Sequence, residues 1–273
     1  MVPISERPLS ERAFIALTRR AIEAHRNSVV LLDEDLETLD ATTGSRRRSH
    51  DALRQLGRGG RLRRVRRGVY VLVEPTGTID VGIFQLVDAT TPRPYLITAG
   101  RALAEFGLTD QHFFRVVVLT PRELRGWAWQ GDDVRYVRLP EERIWGLYTP
   151  NGPQIAVPQR AILDCLAHPG WGVTIPQIAQ AVDLGIRNGR ATPERLVEAA
   201  TSYGNNAAAQ RLGYLVETLH GADAAEALLL LRGSTHASIL LSPSGPNRGP
   251  IDAKWRVRNN VDREALVAHR MIG

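Results

Sequence analysis

Between Gly44 and Arg67 the chain carries ten arginines (Arg46, Arg47, Arg48, Arg54, Arg58, Arg61, Arg63, Arg64, Arg66 and Arg67) against a single acid, Asp51. With one acid among them, these guanidinium groups cannot be neutralised within the window, and its charge is what most constrains the fold and partners of this stretch. The window nets +9 while the whole chain nets +6, which leaves −3 for everything else. Arginine abundance alone says little, since Lys254 is the only lysine among the 35 basic residues. Its confinement says more, because a local positive field is what a polyanionic partner requires.

The residues around this window order themselves into elements. Pro8 and Ser10, followed by Ala13, Phe14, Leu17, Ala21 and Ile22 at helical spacing, predict a first helix ending near His25. Val29 to Leu31 is a short β-prone run, and Asp33 to Leu39 reads as a second, short helix. The stretch from Ala41 to Ser45 reads as a turn, with Ser45 placed to cap a third helix running to about Arg58. On a helical wheel Ser49, Ala52, Leu53 and Leu56 share one side of that third helix, Arg47, Asp51, Arg54 and Arg58 lie opposite, and Arg48 and His50 flank the outer stripe. Gly57, Gly59 and Gly60 end it. Leu62 to Val65 and Val69 to Val73 then predict a hairpin closed through Arg66-Arg67-Gly68, where glycine supplies the positive φ of a tight turn.

Helix, strand, helix, turn, basic helix and basic hairpin is the order of a winged helix-turn-helix, whose third helix enters the major groove while the hairpin lies on the backbone or in the minor groove. A DNA duplex carries one charge per ~1.7 Å of axis, and a guanidinium fork matches both phosphate oxygens and the guanine O6/N7 edge. Arg46, Arg47, Arg48, Arg54, Arg58, Arg63, Arg64, Arg66 and Arg67 are therefore the candidate DNA-binding residues. Arg47, Arg54 and Arg58 form the groove-facing stripe, and Arg63, Arg64, Arg66 and Arg67 suit phosphates. Asp51 either accepts from a cytosine amino group or, the preferred reading, orients Arg47 or Arg54. His50 is equally a contact or surface filler.

Farther along, Val81 to Val87 predicts a helix, Thr98 a cap for a helix over Ala99 to Phe106, and Phe113 to Leu119 and Val134 to Leu139 two strands. The pattern is helical from Val157, with Thr192-Pro193 opening one of the helices. Ser238 to Leu241 and Ala253 to Val257 read as two terminal strands around the loop Ser242 to Pro250. The expected fold class is α+β: an N-terminal winged helix-turn-helix over residues 1–75, a connecting segment over 76–94, and over 95–273 a mixed α/β domain with a helical cluster and a small terminal sheet.

Several chemistries find no basis in these residues. Cys165 stands alone, which rules out an internal disulfide and a cysteine-built zinc site. It falls on an apolar helix face with Ile162 and Leu166, where a thiol is packing and not a nucleophile. No phosphate-binding G-x-x-x-x-G-K-[ST], G-x-S-x-G elbow or H-E-x-x-H is present. No apolar run approaches the ~18 residues of a membrane span, and no signal core precedes the first arginines, so a cytoplasmic, membrane-free protein is expected. The remaining catalytic reading is a Mg-dependent nuclease using Asp252 and Lys254, two positions apart on an expected strand. It lacks a second acid on the neighbouring strand Ser238 to Leu241. A protein-interaction module whose basic stripe docks an acidic partner is the non-catalytic alternative.

Four stretches resemble the AbiEi antitoxins of type IV toxin–antitoxin systems. Arg66-Arg67-Gly68-Val69-Tyr70 is similar to the family's wing. Ile97-Thr98-Ala99, Ala102-Leu103 and Gly107-Leu108-Thr109 resemble its following helix, Pro158 with Arg160 to Leu166 its central helix, and Arg211 to Glu217 a later one. Their order and spacing, over most of the chain, carry the likeness; the segment Glu34 to Gly44 departs from the family's tidier second helix. The resemblance implies an antitoxin and transcriptional regulator, the toxin being a functional partner with or without direct contact, and the residues themselves give no reason to expect catalysis, a cofactor or a metal. The regulator's winged helix would bind inverted repeats in operator DNA and repress its own operon, and its C-terminal domain would counteract a nucleotidyltransferase-like toxin.

Overall fold

The computed structural model describes residues 7–26, 28–74, 76–148, 152–233 and 237–271. They form two compact units: Met1–Arg93 with Trp127–Asp132 and Asn151–Pro153, and Pro94–Gly126 with Asp133–Pro150 and Gln154–Gly273. The fold is α+β, with helices predominating over small sheets. Among the described residues no helix is long and apolar enough to cross a membrane.

The first unit runs α1 (Leu9–Glu23), β1 (Val29–Leu31), α2 (Leu32–Thr43), α3 (Arg46–Arg58), β2 (Leu62–Arg66), β3 (Val69–Leu72) and α4 (Ile83–Thr90). Its antiparallel sheet has the order β1-β3-β2, with Val29 opposite Val71 and Leu62 opposite Leu72. Ala13 and Leu17 of α1, Leu39 of α2, Ala52 and Leu56 of α3, and Val30, Leu62 and Leu72 of the strands close into one core. Ile22, expected on the inner face of α1, is instead exposed.

The second helix is longer than Asp33 to Leu39. It continues through the expected turn to Thr43, where the Thr42 and Thr43 hydroxyls donate to the carbonyls of Thr38 and Leu39, at 2.8 and 2.9 Å, and compete no further for the turn's backbone. The break falls at Gly44, whose φ of 89° only glycine takes without strain. One buried charge pair fixes the start of this helix. Asp35 accepts both terminal nitrogens of the buried Arg26, at 2.5 and 3.1 Å, and the backbone N–H of Leu31 at 3.0 Å.

The second unit begins with β4 (Leu96–Thr98) and α5 (Ala99–Glu105), followed by β5 (Arg115–Thr120). The strand β6 (Trp127–Trp129) groups with the first unit, and β7 (Asp132–Arg138) follows it. β5 pairs antiparallel with β4 and parallel with β7. Four helices then succeed one another: α6 (Pro158–Ala167), α7 (Ile175–Arg187), α8 (Pro193–Tyr203) and α9 (Asn206–His220). The centre is α6, buried from Pro158 to Leu166. Its polar members are satisfied internally. Asp164 accepts from Arg160 Nε at 3.0 Å, from the Thr98 hydroxyl at 2.6 Å and from the Tyr203 hydroxyl at 2.9 Å. Burial, and then the Asp164 charge, drive the Tyr203 phenol far above its usual range. Thr98 therefore does not cap α5 with its side chain as expected, since its hydroxyl is committed to Asp164.

After α10 (Ala222–Ala225) the chain forms β8 (Ile239–Leu240), β9 (Ile251–Asp252), β10 (Val257–Arg258) and α11 (Arg263–Val267). The terminal sheet has three strands in the order β8-β10-β9. The expected strand Ala253 to Val257 is mostly a turn, because the Asp252 carboxylate accepts the backbone N–H of Trp255 at 2.7 Å and Arg256 takes a φ of 54°. Cys165 is buried, and desolvation raises its thiol pKa well above normal, with Asp164 adding to the effect.

Candidate nucleic-acid interface

The third helix is positioned by its neighbours on both sides. Ser45 adopts an extended conformation and accepts the Arg48 N–H at 3.4 Å, while Ser49, Ala52 and Leu56 are buried beneath. The Ser49 hydroxyl lies 2.8 Å from that of Thr43 and donates to Asp40 at 2.6 Å, so α3 is pinned to α2 by a buried polar latch as well as by its apolar face. This orientation leaves Arg46, Arg47, Arg48, Arg54 and Arg58 exposed.

The hairpin that follows adds Arg63, Arg64 and Arg67, also exposed. Arg63 stands opposite Val71 and Arg64 opposite Tyr70, and the register shifts between Arg64 and Arg66. Such an irregularity inserts an extra residue and twists the strand locally. Gly68, with φ of 75°, closes the turn.

The nine candidate arginines divide by what their guanidinium groups touch. Arg46 pairs with Asp40 at 2.7 Å, and Arg54 pairs with Asp51, the orienting contact expected from helical spacing. Arg66 is drawn inward: it donates to the Thr90 carbonyl at 3.4 Å and lies 5.6 Å from the centroid of the Trp127 ring. Arg47, Arg48, Arg58, Arg63, Arg64 and Arg67 direct their guanidinium groups to no hydrogen bond or ion pair among the described residues. The tenth arginine of the window is structural, since Arg61 lies 3.7 Å over the Phe14 ring and donates to the Val73 carbonyl.

Two hollows sort the same residues spatially. A groove of about 520 Å³ between α3 and the hairpin is bordered by His50, Leu53 and Arg54 on one side and by Arg64 and Tyr70 on the other. Arg66 and Arg67 border a separate hollow of about 460 Å³, together with Asp33, Glu34 and the end of α4. The structure thus brings Arg54 and Arg64 to one groove and places the turn arginines at another, beside two acids. The roles of His50 and Tyr70 as groove walls depend on the approach of helix and hairpin, which no local signal encodes.

Asp252 and Lys254, the candidate nuclease residues, each have a partner of their own. Asp252 is engaged by the Trp255 N–H, and Lys254, in the turn beyond β9, pairs with Glu217 at 2.6 Å. No group of three or more metal-ligating side chains occurs among the described residues.

No family model matches the sequence, and no curated protein matches it. Among solved structures the chain is similar to the RV2827C protein from Mycobacterium tuberculosis, at 18% identity and a TM-score of 0.70, over 100% of this chain and 96% of that one. At that identity the likeness is one of fold alone.

Proposed function

We propose that the first unit is a winged helix-turn-helix that binds duplex DNA, with α3 as the recognition helix and β2 and β3 as the wing. The observation that carries this reading is the set of six guanidinium groups on α3 and its hairpin that have no ion-pair or hydrogen-bond partner among the described residues. In a groove-bound pose Arg47, Arg54 and Arg58 read base edges, and Arg63, Arg64 and Arg67 bind phosphates. Arg46 is paired with Asp40, which orients its guanidinium without adding much stability. Arg66 serves to hold the hairpin.

The resemblance to AbiEi antitoxins extends the proposal to the whole chain: a cytoplasmic repressor of its own operon that also counteracts a nucleotidyltransferase-like toxin through the second unit. The test is binding to duplex DNA carrying the inverted repeats upstream of its gene, across a salt series. With about five phosphates neutralised, log K should fall against log[salt] with a slope of roughly −4 to −5. A flat salt dependence, or binding only to an acidic protein partner, would overturn the reading.

A further inference from the structure

We infer that the second unit holds a nucleotide site, in a cleft of about 580 Å³ whose apolar wall includes Phe106, Trp145 and Tyr148 and whose rim carries Arg190, Arg195 and Glu198. The inference is independent of DNA binding by the first unit. Clefts of roughly 300–1,000 Å³ take ligands of this size.

The aromatic wall is held in place from behind. Phe106 and Tyr148 meet edge to face, with centroids 4.9 Å apart. The Tyr148 N–H donates to the Ile155 carbonyl at 2.9 Å, while its ring stays 60% exposed at the cleft edge. The Arg160 guanidinium, itself buried and bound to Asp164, lies 4.5 Å from the Trp145 centroid. An exposed tyrosine packed against Phe106, with a supported indole lining the same cleft, offers a surface on which a planar ring can stack, and stacking of a base on an aromatic side chain tolerates every π-face.

The rim supplies charge that the protein does not use internally. Arg190 donates one nitrogen to the Phe106 carbonyl at 2.8 Å, which anchors it beside the aromatic wall with its other N–H groups open. Arg195, in the first turn of α8, makes only a 3.4 Å side-chain contact to the Gly189 carbonyl. Neither has a carboxylate partner among the described residues, and Glu198, three positions after Arg195, has no cationic one. Two guanidinium groups that keep unused N–H donors and lack a carboxylate partner among the described residues suit an anion of phosphate type. A free carboxylate calls for a donor, such as the exocyclic amino group of a base. Ring, amino group and phosphate occur together in an adenine or cytosine nucleotide.

Calorimetric titration of the full chain with AMP, adenosine, UMP and inorganic phosphate tests this. AMP should bind saturably, with adenosine weaker by about tenfold through loss of charge-assisted bonds and UMP weaker through loss of the amino donor. Tyr148→Ala and Arg195→Ala, both at exposed side chains, should each weaken AMP about tenfold. Glu198→Gln should narrow the gap between AMP and UMP. Melting curves matching the wild type confirm that the variants remain folded. The inference fails if no saturable binding occurs up to about 1 mM AMP. It also fails if phosphate alone binds as tightly as AMP, or if both Tyr148→Ala and Arg195→Ala leave AMP affinity unchanged.

Discussion

Arg47 and Arg66 contribute equally to a charge count and differ in the folded chain. Arg47 projects from the outer stripe of α3 with no side-chain partner among the described residues, whereas Arg66 is bound to the Thr90 carbonyl and lies beside Trp127. Arg47→Ala should therefore weaken DNA binding by about 1–3 kcal/mol if it reads a base, with the melting temperature unchanged. Arg66→Ala should reverse the pattern, lowering the melting temperature while DNA affinity measured by fluorescence anisotropy moves little. The Arg46–Asp40 and Arg54–Asp51 pairs are exposed on the arginine side and contribute little stability in water. Arg26 and Asp35 are the opposite case. Removing one partner of a buried pair leaves a desolvated charge, so Asp35→Ala should cost about 3–5 kcal/mol in urea denaturation. Sequence alone cannot separate these roles, because an arginine's role depends on whether a carboxylate, a carbonyl or a ring lies within reach.

At the scale of elements, β1, α3 and the hairpin were legible because local signals agree: β-branched residues in β1, Ser45 and the glycines bounding α3, and Gly68 in the hairpin turn. The end of α2 was not, because Thr42 and Thr43 read as turn residues by type, and the contact of the buried Thr43 with Ser49 of α3 is tertiary. Ala253 to Val257 failed for another reason, a side chain capturing backbone that an alternating pattern assigns to a strand. The joining of α7, α9 and the C-terminal turn was also hidden. There the buried Asp183 accepts from His269 at 2.9 Å and from Arg270 Nε at 3.1 Å, with His220 at 3.0 Å and Arg187 at 3.7 Å. Burial pushes its pKa up, but the bonds from Arg270 and His269 prevail and lower it from 3.8 to about 2. A depressed carboxylate pKa stabilises the fold above about pH 4, and that contribution, about 2 kcal/mol, is lost as pH falls from 4 through 2. Asp183→Asn should thus unfold at lower urea at pH 7, the gap to wild type closing toward pH 2. His220 acts at higher pH: burial lowers its pKa despite Asp183, so the fold resists its protonation and loses stability as pH falls below 6.5. His220→Gln should flatten the stability slope just below pH 6.5 and, because the His220 charge also helps to lower the Asp183 pKa, weaken the acid limb in part.

For the whole molecule, charge is the property most plainly written in the sequence, since the +9 window falls within the first unit and the rest of the chain nets −3. The cleft of the second unit was invisible, because Phe106, Trp145 and Arg190 are brought together only by tertiary packing. This separation of charge makes a division of labour testable. Replacing Arg47, Arg58, Arg63 and Arg64 by alanine removes four positive charges, leaving core residues intact and the overall charge near +2. Operator binding should collapse, and the residual salt slope should shrink by about one for each phosphate that the variant no longer neutralises. If the proposed antitoxin role holds and resides in the second unit alone, the same variant should still rescue cells from a nucleotidyltransferase-like toxin while failing to repress a reporter under its own promoter. Loss of rescue in a variant that melts like the wild type would mean that the basic surface serves both activities, and the assignment of antitoxin function to the second unit would have to be abandoned.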